Sequence, residues 1–233
     1  ADLRYTHAQG SFYVNLSADD QHVGLPGHRR YSPEEGIFNL ITNRRGAFTP
    51  YDFADKQGQN GTIGFTHRLA PGIELIIDGG IRKKQEQAQF YLATEFAATT
   101  NPRQAVDTQL STSSATPRVK VDTTLWGMPF KALGGFDYFD AVYHSERPLY
   151  FTAAPINTYD LNQTSQAWYW MQTLTVLPGT DISAGGRTQK TTIHARDKFD
   201  ASAPGGTSCF FGFCFPNGIE GLPLDESERN RAW

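Results

Sequence analysis

The sequence has no long hydrophobic run and no helical periodicity. Nowhere does it approach the roughly 18 consecutive apolar residues of a membrane-spanning helix, and its longest candidate, residues 73–81, is interrupted by Glu74 and Asp78. Apolar residues recur at every second position, and we find no convincing period of 3.6 residues. A helical membrane protein is therefore excluded.

The chain also lacks an excess of charge of either sign. Its 21 basic and 24 acidic residues give a formal net charge of -3, and there is no basic arm to follow a phosphate backbone. Nucleic acid is thus not an expected partner. The mean hydropathy of -0.47 is typical of soluble proteins, but a membrane β-barrel shows only alternate residues to lipid and need not be hydrophobic on average.

No catalytic motif is present. The sequence contains no HExxH, GxSxG, P-loop or dinucleotide fingerprint, and its six histidines are scattered over separate segments. Acidic pairs such as Asp19-Asp20 and Glu34-Glu35 fall in expected loops, where solvated carboxylates are the usual case. We therefore expect neither an enzyme nor a cofactor nor a metal site.

The only cysteines are Cys209 and Cys214. A close pair in a chain with no other cysteine favours one local disulfide, formed in an oxidising compartment such as the periplasm. Two reduced thiols in an aromatic loop remain an alternative. A metal site is disfavoured because the spacing is not C-x-x-C.

What the sequence does contain is strict two-residue alternation. In residues 117–122, Arg118, Lys120 and Asp122 alternate with a proline and two valines. Residues 11–17 and 73–82 behave similarly, so each strand has an apolar face and a polar face. The segments 73–82 and 131–141 supply about ten residues each, the length with which a tilted strand crosses a bilayer.

The links between these strands alternate in length. Short turns are predicted at residues 9–10, 70–72, 126–129 and 177–180, and long loops at 18–59, 85–109, 143–161 and 198–222. In an up-and-down antiparallel sheet, all short turns then lie at one edge and all long loops at the other. Outer-membrane barrels have this asymmetry, with short periplasmic turns and long extracellular loops.

Four stretches carry a resemblance to a known family. Residues 12–21 running into 24–27, and then 45–55, resemble the early barrel region of TonB-dependent outer-membrane receptors. Residues 134–138 and 181–187 are similar to the family's recurring barrel strands, and the likeness extends from about residue 12 to 228. Such receptors have a barrel of about 22 strands, filled by an N-terminal plug domain that carries a short box recognised by TonB.

The resemblance implies that residues 1–233 are part of the barrel domain, an antiparallel up-and-down transmembrane segment of about eight or nine strands, without the plug domain. The expected location is the outer membrane. The expected partners are a ferric siderophore or similar chelate, membrane lipid, and the TonB complex through the missing plug. Two alternatives stay open: a soluble secreted all-β glycan-binding protein or carbohydrate-active enzyme, and a complete eight-stranded small barrel.

Two sets of site residues follow. Ferric siderophores are often anionic with aromatic arms, so basic and aromatic side chains of the first and third long loops are candidate ligand contacts. The competing interpretation is that these side chains only solvate the loops or hold them together. The candidates are Arg29, Arg30, Tyr31, Arg44, Arg45, Tyr51, Phe53, Tyr143, His144, Arg147, Tyr150 and Tyr159. Charged residues on the polar strand faces are predicted to line the lumen wall, where cross-strand carboxylates or the plug would pair with them: Arg82, Arg118, Lys120, Asp122, Asp137 and Arg187.

Overall fold

The computed structural model describes residues 1–25, 51–93 and 98–232. This part of the chain forms eleven β-strands. They are β1 (Asp2–His7), β2 (Gly10–Gly24), β3 (Phe53–Ala70), β4 (Ile73–Ala93), β5 (Ala98–Leu125), β6 (Met128–Pro148), β7 (Pro155–Leu177), β8 (Thr180–Phe199), β9 (Thr207–Phe210), β10 (Phe213–Pro216) and β11 (Leu224–Ala232). Within the described ranges, no helix has the length and apolar character needed to cross a membrane.

Nine of these strands form one antiparallel sheet in chain order, β1 to β8 followed by β11. Strands β9 and β10 pair only with each other, in a small hairpin inserted between β8 and β11. Every neighbour in the large sheet up to β8 is also a neighbour in sequence, which is the up-and-down arrangement. The predicted all-β fold class and its strand number are confirmed.

Tight turns join alternate pairs of strands. Two-residue turns connect β1 to β2, β3 to β4, β5 to β6 and β7 to β8. Gly72, Gly127 and Gly179, each the second residue of such a turn, have φ angles of 75°, 79° and 82°, a conformation that glycine adopts without steric cost. All four turns lie at one edge of the sheet, here named the turn end, and the strand ends that the other connections join lie at the opposite edge, the loop end.

The predicted loop boundaries were wrong in one respect. Residues 85–109 and 143–161 are mostly strand: β4 and β5 leave only 94–97 between them, and β6 and β7 leave 149–154. Residues 18–24 and 53–59 of the first predicted loop are strand as well. Strands β4 and β6, for which about ten residues were expected, have 21 residues each. Their distal parts are polar on both faces, so alternation disappears from the sequence while the backbone hydrogen-bond ladder continues.

The register defines two faces. One row across the sheet places Val14, Ile63, Gly79 and Ala115 side by side, and the face that carries them is named the outer face. On the other, inner face, side chains two strands apart touch: Tyr13 reaches Asp78 across β3. Arg187 of β8 likewise reaches Asp137 of β6 across β7.

Near the turn end, the outer face is mostly apolar and exposed. Ile63, Ile81, Trp168 and Ile182 have exposed fractions of 49%, 62%, 65% and 60%. We call this surface the apolar band. Its edge toward the loop end passes through Leu16, Gly61, Ile81, Ala115, Tyr138, Trp168 and Gly186, after which outer-face residues become polar.

The band edge runs obliquely to the strands. Leu16 of β2 lies in the same row as Ile81, whereas Gly186 of β8 lies in the row of Leu75. Between β2 and β8 the edge therefore shifts by roughly 20 Å along the strand direction, while the distance across the strands is roughly 29 Å. The strands are thus tilted by about 35° from the normal to the band, which is close to the tilt of barrel strands.

Candidate functional site

The inner face carries an ionic network on β2 to β5. The guanidinium of Arg118 donates from Nη2 to Asp78 Oδ2 at 2.7 Å, and the Tyr13 hydroxyl donates to Asp78 Oδ1 at 3.1 Å. The Tyr13 ring lies against Gly64, where an added Cβ would stand 1.9 Å from a ring carbon. Glycine at position 64 is thus required for tyrosine to cross β3.

A second ionic contact lies on β6 to β8 of the same face. Arg187 donates from Nη1 to Asp137 Oδ2 at 2.8 Å and from Nη2 to Gln189 Oε1 at 3.2 Å. Its guanidinium also lies 5.7 Å from the ring centroid of Tyr169. These charge-assisted bonds fix the arginine side chains on a partly solvated surface.

All six residues predicted for the lumen wall lie on the inner face. Arg118, Asp137 and Arg187 have the ion-pair partners just described. Within the described part of the chain, Arg82, Lys120 and Asp122 have no ion-pair partner. Their charges are therefore free to meet a molecule at the inner face, and their lumenal role stays a prediction.

The structure divides the predicted ligand residues of the third loop between the two faces. Tyr143, Arg147 and Tyr159 lie on the inner face near the loop end, with the Arg147 guanidinium 4.9 Å from the Tyr159 ring centroid. His144 lies on the outer face, where its ring hydrogen-bonds Asp160 at 2.6 Å. Tyr150 is an exposed residue of the 149–154 connection.

The remaining ligand candidates do not join this group. Tyr51 packs edge-on against Tyr91, with ring centroids 5.9 Å apart. Phe53 lies on the outer face and stacks with His22. Arg29, Arg30, Tyr31, Arg44 and Arg45 lie outside the described residues.

Two buried polar groups that the sequence analysis missed organise the loop end. Gln89, 3% exposed, donates to the carbonyl oxygens of Gln104 at 3.0 Å and Leu149 at 3.4 Å. The buried Asp52 accepts the backbone N–H of Tyr91 at 2.8 Å. They hold connections against β4, and no local motif marks either residue.

Histidine and aspartate face each other on three strand pairs of the outer face beyond the apolar band. His22 is directly opposite Asp55, His144 opposite Asp160, and His194 opposite Asp225, and each pair is hydrogen-bonded. The Arg196 guanidinium, and secondly His194, lower the pKa of Asp225. Polar cross-strand pairs thus replace apolar contacts along this part of the ladder.

The pair of His144 and Asp160 makes stability depend on pH. The hydrogen bond to Asp160 raises the pKa of His144 above its ordinary value, against a smaller opposing effect of burial; Glu146, 3.5 Å from Nε2, also raises it. We expect the stabilisation to be complete below about pH 6.5 and lost as the pH rises through the higher folded-state pKa. It should stay below about 1 kcal/mol because both side chains are partly exposed.

Guanidinium unfolding midpoints at about pH 5.5 and about pH 8.5 measure this dependence. The variant His144→Gln should have a smaller difference between the two midpoints than the wild type. An unchanged difference would show that His144 is not the responsible group.

Cys209 and Cys214 form a disulfide across the hairpin of β9 and β10, where they are directly opposite each other. Phe210 and Phe213 form the next pair, and Phe211 at the turn is fully exposed. The disulfide constrains a short ribbon that has no place in the large sheet.

Removing this disulfide should loosen the hairpin alone. For a loop this short, chain entropy gives about 2 kcal/mol of stabilisation, so we expect Cys209→Ser/Cys214→Ser to accelerate chymotrypsin cleavage at residues 210–215 by at least about tenfold. The unfolding midpoint of the large sheet should not change. Equal cleavage of variant and wild type would contradict the prediction.

Among the described residues, no group of three or more histidine, cysteine or acidic side chains could hold a metal ion. The inner face instead offers guanidinium and phenol groups. The arrangement is suited to binding anionic or aromatic molecules.

Solved structures with the same fold are receptors and transporters for ferric chelates. The open form of the ferric-catecholate import receptor Fiu from E. coli K12 has a TM-score of 0.67 at 12% identity, over 99% of this chain and 42% of that one. The chain has the fold of an up-and-down β-barrel segment. The ferric citrate transporter FecA has a TM-score of 0.68 at 12% identity, over 99% of this chain and 32% of that one. BauA, the ferric preacinetobactin receptor from Acinetobacter baumannii, has a TM-score of 0.57 at 8% identity, over 99% of this chain and 36% of that one.

These likenesses establish the fold. The chain spans less than half the length of each of those receptor chains. No protein-family model and no curated protein matches the sequence. The neighbours are transport receptors and not enzymes, in agreement with the expectation that this chain is not an enzyme.

Several inner-face residues were absent from the predicted site. Arg4, Tyr13, Asp78 and Tyr169 all contribute to the network through ionic, hydroxyl or ring contacts. Asp78 could have been found, because it has the same alternation phase as Arg82. The tyrosines could not, since a tyrosine suits either face of such a strand.

Proposed function

We propose that this chain is part of the wall of an outer-membrane receptor that takes up a ferric siderophore or similar chelate, with energy supplied by TonB through a plug domain outside this sequence. The observation that carries the proposal is the shared fold with ferric-chelate receptors over 99% of the chain. The resemblance of residues 12–228 to TonB-dependent receptors supports the same assignment.

The apolar band supports a position in the membrane. On β4 it extends from Ile73 to Ile81, which at about 3.3 Å per residue and a tilt of about 35° gives a height close to the roughly 25 Å of barrel proteins. A soluble glycan-binding protein would gain nothing from a continuous exposed surface of this kind. The short turns would then face the periplasm and the long connections the exterior.

Tyr143, Arg147 and Tyr159 are the best-placed candidates for chelate contact. They share the inner face near the loop end, where a ligand arriving from outside would first meet the wall. A guanidinium already stacked on a phenol ring provides both positive charge and an aromatic surface. His144, committed to Asp160 on the opposite face, is given a structural role instead.

Iron uptake by the native bacterium tests the proposal. Disrupting the gene that encodes this chain should abolish uptake of radioactive iron from one of three probes, namely ferric citrate, a ferric tricatecholate or a ferric trihydroxamate. The same cells should take up ferrous iron normally. Unchanged uptake of all three ferric probes would overturn the proposal.

A matched pair of variants locates the contact in the same assay. Arg147→Ala should weaken uptake of the affected chelate by about tenfold. Arg196→Ala, an outer-face arginine paired with Asp225, should leave uptake near the wild-type value. Equal losses would show that the inner face is not selective.

A further inference from the structure

The hairpin of β9 and β10 carries phenylalanine on one side. Phe210 and Phe213 are directly opposite each other, and Phe215 lies two positions beyond Phe213 on the same strand. Because residues two apart on a strand share a face, these three rings lie on one side of the ribbon and the disulfide on the other. We name this side, together with Phe211 at the turn, the phenylalanine face.

The phenylalanine face is uncovered within the described part of the chain. Phe210, Phe213 and Phe215 are 67%, 68% and 59% exposed, and Phe211 is fully exposed. At roughly 200 Å² for a whole phenylalanine side chain, the four rings leave roughly 600 Å² of apolar surface in water. An exposed apolar patch of that size marks a contact site.

Hydrogen bonds hold the base of the hairpin. Asn217 donates from its backbone N–H to the Gly206 carbonyl at 2.8 Å, and from Nδ2 to the Gly205 carbonyl at 2.8 Å. The Thr207 hydroxyl donates to the Ala201 carbonyl at 2.7 Å. Since the disulfide also ties the two strands together, the ring-bearing ribbon loses little conformational entropy when it binds a partner.

The height of the hairpin excludes lipid as the cover of this face. Residues 187–199 of β8 separate Gly186, at the band edge, from the hairpin base. At about 3.3 Å per residue and a tilt of about 35°, this stretch raises the base roughly 35 Å above the hydrocarbon. Each hairpin strand has only four residues, or roughly 13 Å, and cannot return to the band.

The absence of charge narrows the choice of partner. No charged residue occurs from position 201 to 219, so neither an anionic chelate nor a charged protein surface would find an opposite charge here. The surface that complements uncharged phenylalanine rings is a second set of such rings, in offset or edge-to-face contact. A second copy in the same membrane presents this set at the same height, because each hairpin base is fixed to β8.

Two copies also supply enough area. Face to face, the four rings would bury up to roughly 600 Å² on each copy, which is the lower limit for a specific interface. Ile219 and Leu222 follow the hairpin and are 84% and 93% exposed. Their contribution would bring the interface close to the roughly 800 Å² per partner of a standard complex.

We propose that the phenylalanine face joins two copies of the protein, related by a two-fold axis along the membrane normal. In such an interface both copies use the same patch, and an uncharged patch meets its own image without repulsion. The disulfide maintains the ribbon that presents the rings. The two-fold arrangement rests on the membrane position in the proposed function, but not on the chelate.

Photo-cross-linking of the full-length protein in membranes identifies what covers the face. Phe211→p-benzoylphenylalanine should give a covalent dimer on irradiation. The same photoreactive residue in place of Val23, an exposed inner-face residue near the loop end of β2, should give none. Cross-linking at position 211 to another part of the same chain, to a different protein or to lipid, or no cross-linking, would overturn the proposal.

Sedimentation equilibrium in detergent measures the strength of the dimer. Phe210→Ser/Phe213→Ser removes two aromatic anchors and should weaken dimerisation at least about hundredfold. Val23→Ser, the matched control, should leave the dissociation constant unchanged. An equally tight dimer in Phe210→Ser/Phe213→Ser would contradict the proposal, and an unchanged unfolding midpoint would show that this variant is folded.

The dimer and the proposed function fail separately. If the native cells lose ferric chelate uptake on gene disruption but the protein stays monomeric, only the dimer is lost. If all three ferric probes are taken up normally, the proposed function fails, whereas the cross-link at position 211 still shows whether two copies meet at this face.

Discussion

Lysine in place of Ile77 is expected to destabilise the chain in lipid vesicles by about 2–4 kcal/mol, because an ammonium group near the middle of the hydrocarbon has no solvent. Ile77 lies at the centre of the apolar band on β4, with 39% of its surface exposed. The measurement is equilibrium unfolding by guanidinium, followed by tryptophan fluorescence.

Two further variants show whether depth and face determine this cost. Ile81→Lys, at the band edge, should cost only about 0–1 kcal/mol. Thr62→Lys, on the inner face of β3, should be nearly neutral since that face meets water. In a soluble protein Ile77→Lys and Ile81→Lys would both be tolerated as exposed positions, so equal small effects would contradict the membrane position.

Alanine at Gly64 should destabilise the sheet by about 2–3 kcal/mol. The new Cβ would stand 1.9 Å from a carbon of the Tyr13 ring, and moving the ring away would break the hydrogen bond from Tyr13 to Asp78. The Asp78 carboxylate would then keep its ion pair with Arg118 but lose its hydrogen bond with Tyr13. Chemical unfolding in vesicles measures the change.

A double-mutant comparison separates the clash from any general effect of alanine. Gly64→Ala in a Tyr13→Ser background should cost less than about 0.5 kcal/mol, because the ring is gone. Gly79→Ala is the matched single control: its Cβ would make ordinary contacts of 3.4 Å with Ile63 and with the Ser114 carbonyl oxygen. A full cost in the Tyr13→Ser background would show that ring crossing is not the cause.

Much of the fold was predictable because the relevant signals are local. Each tight turn is marked by a glycine or proline within a few residues, and alternation on either side fixes the two faces of a strand. The lengths of the long connections were not predictable, since the parts of the strands near the loop end have polar residues on both faces. Residues 85–89 of β4 consist of glutamine, glutamate and alanine, a composition without the alternation that marks a strand.

The candidate site shows a sharper limit. Tyr143 and His144 are neighbours in sequence, and both suit a chelate site by residue type. Because residues 143–148 are strand, alternation places Tyr143 and His144 on opposite faces. Only the observed register shows which face His144 takes. The contact of Arg187 with Asp137 joins residues 50 apart in the chain, and no local pattern predicts it.

The sequence by itself determined an antiparallel ribbon with one apolar and one charged face and with all its tight turns at one end, because period-two alternation and turn chemistry act over only a few residues. The tertiary structure alone decided the oblique edge of the apolar band and the pairs of Tyr13 with Asp78 and Arg187 with Asp137. Those features depend on which residues of different strands share a row, and the register that sets the rows is fixed jointly by all nine strands of the sheet.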